Sequence, residues 1–218
     1  MLTEVAEPLP SASVIVLRDD PLEVLMLRRH ENSSFVPNAW VFPGGITEAI
    51  DQELGDGTTL GTMRVTGARE TFEETGVWLG APLDDAEHKR RRLLAGSLMF
   101  RQILTEGPID FEKLVWTSRW ITPTAVPKRF DTYFFVTKVS RDVVATAEQI
   151  ETVDVVWIAP SEALSRHGDG RMQMVFPTLR NLEALEGWKT ADVLIESRRG
   201  AEIAAIQPVI VNGKPTLP

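Results

Sequence analysis

Glu70, Glu73 and Glu74 stand at i, i+3 and i+4 within the stretch Ala68-Arg69-Glu70-Thr71-Phe72-Glu73-Glu74-Thr75-Gly76-Val77. A helix turning about 100° per residue would crowd these three carboxylates into one arc of roughly 100°. Val65, Ala68 and Phe72 share the opposite arc and would bury it. Like charges at this spacing cost about a few tenths of a kcal/mol per pair, so the cluster calls for compensation, and a hard divalent cation would supply it. Arg69, one turn before Glu73, can offset part of the repulsion and orient that carboxylate. Gly76 ends the helix where a left-handed residue costs least. A Glu-rich helix face is commonly only a solvated one, so the reading of this face depends on what lies upstream of it.

Upstream is Phe42-Pro43-Gly44-Gly45, a sharp glycine turn after the strand-like Ala39-Trp40-Val41. Together the two segments resemble the Nudix box, Gly-x5-Glu-x7-Arg-Glu-U-x-Glu-Glu-x-Gly-U, where U is a bulky aliphatic residue. Gly45 fits the first glycine, Arg69 and Glu70 the Arg-Glu pair, Glu73 and Glu74 the paired glutamates, and Gly76 and Val77 the end. The chain departs from the pattern in three places. Asp51 stands where the family has Glu, the segment from Asp51 to Arg69 is about ten residues longer than the box allows, and Thr71 takes the place of a U. The extra segment, Gln52 to Thr62, is rich in Gly, Asp and Thr and reads as an inserted loop, an insertion that costs little entropy at a surface. The interruption resembles one Nudix branch, the peroxisomal coenzyme A diphosphatase-like proteins.

Two further regions resemble that branch. Leu25-Met26-Leu27-Arg28-Arg29 ahead of the glycine turn is similar to a coenzyme A signature whose first Arg is matched by Arg29, while Ser34 and Asn38 stand at the register of its second Arg and its Gly. Pro127-Lys128-Arg129-Phe130-Asp131-Thr132-Tyr133-Phe134-Phe135 is the other. The resemblance implies an α/β fold, a Nudix-like α/β/α sandwich with a mixed sheet, and hydrolysis of a phosphoanhydride in a nucleoside-diphosphate-linked metabolite, coenzyme A or acyl-coenzyme A leading. It implies Mg2+ or Mn2+ held by Glu70, Glu73 and Glu74 with a backbone carbonyl at Gly45, an orienting role for Arg69, and substrate contacts from Arg29, Gly44 and Arg129. Glu70 is the first choice for general base. Relatives often take a ligand or base from the loop before the last core strand, here Ala147 to Thr152, which makes Glu151 a catalytic candidate and Glu148 the runner-up. The alternative, motivated by the stretched box and Thr71, is a non-catalytic Nudix-fold sensor that binds a nucleotide metabolite. A homodimer is the assembly the family suggests.

A chain of 218 residues with 43% apolar content can bury a sizeable core, and its length suits a single domain over 1–218. Without cysteine there are no disulfides, thiolate metal sites or cysteine nucleophiles. The first 20 residues lack a long apolar run, so neither a secretory signal nor a membrane helix is expected there, and the protein reads as cytoplasmic. The net charge of −8 argues against a general nucleic-acid surface, while leaving room for a small anionic substrate where metal and local Arg or Lys reverse the field. His88-Lys89-Arg90-Arg91-Arg92 reads as a solvated basic face.

Several elements must position these residues. Ser11 to Arg18 and Glu23 to Arg29 read as neighbouring strands around the turn Asp19-Asp20-Pro21, and the acidic helix runs from about Thr62 to Thr75. A second long helix is expected over Ala86 to Leu104, with Leu93, Leu94, Leu98 and Ile103 inward. Leu114 to Ile121 and Thr132 to Val139 read as an antiparallel pair, Val153 to Ile158 as the last core strand, and Pro160 to about Ser165 as a helix. The tail 174–199 forms two short amphipathic helices, an extension beyond the sandwich, and Val209 to Pro218 is turn-like or an edge strand.

Overall fold

The structure is a computed structural model that describes residues 5–33 and 36–217; Ser34 and Pro218, which enter the sequence reading, lie outside them. Strands β1 (Leu9–Arg18), β2 (Glu23–Arg29), β3 (Trp40–Val41) and β4 (Gly44–Ile46) come first, followed by helices α1 (Ala49–Leu54), α2 (Thr59–Thr75), α3 (Ala86–Leu94) and α4 (Phe100–Glu106). Then come β5 (Val115–Ile121), β6 (Phe130–Lys138), β7 (Thr152–Ile158), α5 (Pro160–Gly168), α6 (Phe176–Glu183), α7 (Ala191–Arg198), β8 (Ala205–Ile206) and the hairpin β9 (Val209–Val211) and β10 (Lys214–Thr216).

The sheet is mixed. β1 lies parallel to β6 along its whole length, and β6 pairs antiparallel with β5 as expected. The other edge of β1 is divided: β2 takes its end at Leu17 and Arg18, and β4 takes Ser11 to Ser13. β2 pairs onward with β7. Both faces of β1 are covered, so its apolar residues run almost without interruption instead of alternating with polar ones. Ala12, Val14 and Val16 pack on Met63, Val65 and Ala68 of α2, while Ile15 and Leu17 pack with Leu182, Leu185, Leu194 and Ile195 of the C-terminal extension. The result is an α/β fold whose mixed sheet lies between helices, with extra C-terminal helices beyond the core sandwich.

Four expectations change. The segment Gln52 to Thr62 is not a loop: α1 runs to Leu54 and α2 begins at Thr59, capped by the Thr58 side chain, which accepts from the Gly61 N–H. The expected long second helix is broken into α3 and α4, with Gly96 left-handed at φ 66° between them. Leu94 consequently points outward, whereas Leu98 and Ile103 are buried against Phe72. The basic run is solvated except at Arg90, which is 2% exposed, and at Lys89, which is half-buried and paired with Glu106. The last stretch forms a hairpin of its own. Among the described residues, no helix is long and apolar enough to cross a membrane.

Candidate active site

The local physics of α2 begins with its ends. Gly76 adopts φ 71° and returns its N–H to Phe72 O, which stops the helix as read from sequence. The helix lies under β4, where Gly45 allows its approach, while Gly44 allows β4 to lie close to β1. A Cβ on Gly44 would meet Ala12 O at 2.3 Å, and one on Gly45 would meet the Glu70 carboxyl at 2.5 Å. With neither present, the Gly44 N–H donates to Glu74 Oε2 at 2.8 Å. The glycine bend and the acidic trio therefore share one wall.

Arg69 organises that wall. Its guanidinium is 3% exposed and grips Asp51 with two hydrogen bonds of 2.9 Å, from Nε and Nη2. Nη1 is left to Glu73 at 2.9 Å and Glu70 at 3.0 Å. Asp51 is wholly buried and also accepts from Thr66 Oγ1 at 3.0 Å and the Glu48 N–H at 2.9 Å. Three carboxylates (Asp51, Glu70 and Glu73) thus surround one guanidinium in a low-dielectric pocket, with Glu74 beside them on Gly44. Burial pushes Glu70 up to about 7, against the pull of Arg69 and with help from Glu73. Burial, then the Glu70 charge, raises Glu74 well above the usual carboxylate range, opposed by the Gly44 N–H and Arg29. Glu73 is raised by burial against the same Arg69. Burial works against the Arg69 charge, but its hydrogen bonds to Asp51 and the surrounding carboxylates outweigh it and hold the guanidinium protonated.

These carboxylates line a cleft of about 1400 Å³ on the face of the sheet turned toward the C-terminal extension. Ser11, Ser13 and Thr132 form part of its floor, and Met174 and Phe176, with Ile210 of the hairpin, part of the opposite wall. Glu148 and Glu151 stand at its edge but differ. The Glu148 carboxylate accepts from the N–H groups of Ile150 and Thr152, each at 2.9 Å, and of Glu151, and so organises its own loop. Among the described residues, no hydrogen bond or ion pair engages the Glu151 carboxylate, and its charge reaches Glu74.

No family model matches the chain. It is 30% identical over 190 residues to a putative nudix hydrolase 7 of Caenorhabditis elegans, a match covering 84% of this chain and 62% of that one. A crystal structure of a NUDIX hydrolase from Alicyclobacillus acidocaldarius superposes with a TM-score of 0.78 at 25% identity, covering 88% of this chain and 97% of the other. The chain belongs to the Nudix hydrolase superfamily. It is also 24% identical over 225 residues to the acyl-coenzyme A diphosphatase NUDT19 of Xenopus laevis, over 75% of this chain and 59% of that protein. The chain spans only about three fifths of the length of these curated relatives.

Within this Nudix fold, Arg29, Gly44, Gly45, Arg69, Glu70, Glu73, Glu74, Glu148 and Glu151 all border one cleft. Arg129 does not. It is 7% exposed, outside the cleft lining, and donates to Thr122 O at 3.1 Å and Ala6 O at 2.7 Å. Asn38, where the signature has Gly, sits at φ 59°, a left-handed conformation that Asn tolerates better than most residues. The partner of Arg69 was hidden from sequence reading because the Asp51 to Arg69 segment is stretched, although its register from Gly45 was visible. Ser11 and Ser13 left a signal too: they interrupt an otherwise apolar strand on the face that meets the cleft.

Proposed function

We propose that this Nudix protein hydrolyses a phosphoanhydride in a nucleoside-diphosphate-linked metabolite, with Mg2+ or Mn2+, and that coenzyme A or an acyl derivative is the leading substrate. The observation that carries this reading is the shared wall: the Gly44 N–H on Glu74, and Gly45 closed against Glu70.

The donor set fits a hard divalent cation. All the side-chain donors are oxygens, the negative charge exceeds what Arg69 can balance, and a Cβ at Gly45 would fill the space beside Glu70. Among the described residues, no three of these side chains converge as they stand, because Arg69 draws Glu70 and Glu73 to its Nη1 while Glu74 turns to Gly44. Glu70, Glu73 and Glu74, with the Gly45 carbonyl, would hold the ion, which supplies polarisation of a phosphoryl oxygen and charge neutralisation of the departing phosphate. Arg69 keeps Glu70 and Glu73 at a fixed place, as the Gly44 N–H does Glu74. Glu70 is the first candidate to take a proton from the attacking water, and Glu151 is the second. Arg29 Nε is buried in the cleft wall without a partner among the described residues, a donor that a substrate phosphate oxygen would satisfy. Trp120, Phe134, Phe176 and Met174 offer apolar surface to the organic group beyond the diphosphate. The relatives named acyl-coenzyme A diphosphatase, from Xenopus laevis and Gallus gallus, support the choice of substrate.

The test is product release from coenzyme A, ADP-ribose, NADH and dinucleoside polyphosphates with and without added metal. Turnover of one of these, abolished in Glu74→Gln, supports the reading. The pairing of Glu70 and Glu73 with Arg69 favours a second reading, a sensor that binds without turnover. Tight binding of one compound with no product from any would establish it. Between the two bases, the variant that loses turnover while keeping metal affinity identifies the proton acceptor.

A further inference from the structure

We propose that Arg90 of α3 is a positioning residue for this reaction: it locks the loop that bears Glu151 onto the C-terminal end of α2, and so sets where Glu151 stands relative to Glu70 and Glu74. The inference rests on the hydrolase reading and adds to it a residue outside every recognised motif.

α2 ends with Glu73 and Glu74 in its last turn and no basic residue there, so its carboxylates and the negative end of its dipole have the same sign. Arg90 brings the missing cation from another helix. Its Nε donates to Glu73 O at 2.8 Å, and its Nη1 to Thr146 Oγ1 at 3.0 Å. From Thr146 the N–H donates to Thr75 O at 2.9 Å, and at the far end of the loop Thr152 Oγ1 donates to Glu74 O at 3.5 Å. The three consecutive carbonyls of Glu73, Glu74 and Thr75 are thereby held by one arginine and the two ends of one loop. Between those ends the Glu148 carboxylate gathers the loop N–H groups, and the His30 N–H fixes Glu151 O at 2.8 Å from the side of β2.

Val143 and Ala145 pack on the core just ahead of the loop, but within 146–152 Ile150 is 76% exposed, so the placement of Glu151 depends chiefly on the polar ties just described. Of these, the Arg90 bridge alone is made by a side chain reaching from α3, and its bidentate span cannot be reproduced by a lysine ammonium. A displacement of about 1 Å in a reacting group costs up to about 10²-fold in rate.

The experiment uses the full chain with Arg90→Lys and Thr146→Val, each alone and combined with Glu151→Gln. The second substitution removes the loop tie and leaves the bond from Arg90 to Glu73 O, so it carries the test if Arg90→Lys does not fold. Each single variant should lower kcat about 10-fold or more with KM within about 2-fold, and neither should lower kcat further once Glu151 is Gln. Amide exchange in residues 146–152 should accelerate about 10-fold while that of β1 and β6 stays unchanged. Full additivity with Glu151→Gln, wild-type kcat in both variants, or unaltered exchange in 146–152 would overturn the assignment. Should the wild-type protein release no product from any tested compound, the hydrolase reading fails, and the exchange result still decides whether Arg90 holds the loop.

Discussion

Arg69 and Arg129 are buried to nearly the same degree, 3% and 7% exposed, yet they build different kinds of region. Arg129 meets neutral carbonyls, Thr122 O and Ala6 O, and fastens the chain ahead of β1 to the start of β6. Arg69 meets Asp51, Glu70 and Glu73, with one carbonyl at Ile46. A guanidinium bonded to neutral carbonyls is a clamp between chain segments. One among several carboxylates leaves a surplus of negative charge beside it, and that surplus can attract a cation. The lesson is that the chemistry of an arginine is read from the charges of its partners, since depth of burial is the same for both.

The comparison breaks most sharply at Glu74. Glu74→Gln should reduce metal-dependent turnover by about 10²-fold or more with the fold intact, as measured by product release and circular dichroism, because it removes a cation-holding charge. Near-wild-type rates would mean that the carboxylate wall is not where reaction occurs. Asp51→Ala should come next, costing about 3–5 kcal/mol in urea unfolding, since it leaves Arg69 without its bidentate partner in a buried site. Arg129→Met should cost less, about 1–3 kcal/mol for carbonyls left without donors, and should keep turnover per folded molecule within about 2-fold. A loss of turnover in Arg129→Met comparable to that of Glu74→Gln would return Arg129 to the site.

Local patterns carried much of this into the sequence, and the unreadable parts have a common cause. The glycine bend, the acidic face of α2, its stop at Gly76 and the strands were legible because each depends on residues a few positions apart. Asp51 was visible only as a departure, since its contact with Arg69 spans 18 positions and needs α1 to fold back on α2. Arg90 read as part of a solvated basic run because its partner Thr146 lies 56 positions away. The helices of the extension were legible as helices, but not as one side of the cleft, because which face of a sheet a helix covers is decided by packing. Arg129 resembled a site residue for the same reason in reverse: its motif was local, and its partners were not.

The smallest effect, and the one that most sharpens the contrast between the two arginines, is on stability against pH. In metal-free buffer the folded protein holds Glu70 at about 7, above its ordinary 4.5. Between those values the folded chain binds more protons than the unfolded chain, so stability must fall as pH rises through this window and level off, for this group, above about 7. The groups facing Glu70 are Arg69, which favours its charge, and Glu73 and Asp51, which oppose it; the upward shifts of Glu73 and Glu74 act in the same direction. We expect the unfolding midpoint to drop as the pH rises from about 4.5 to about 7. Glu70→Gln should flatten that decline, and millimolar Mg2+ or Mn2+ should reverse it above pH 7, because the cation binds the deprotonated carboxylates of the folded chain. Arg129→Met should lower the whole curve without changing its slope, since among the described residues no carboxylate is a partner of its side chain. A flat profile in the metal-free wild-type protein would show that Arg69 alone balances the wall, and would remove the charge surplus from which the cation site is argued.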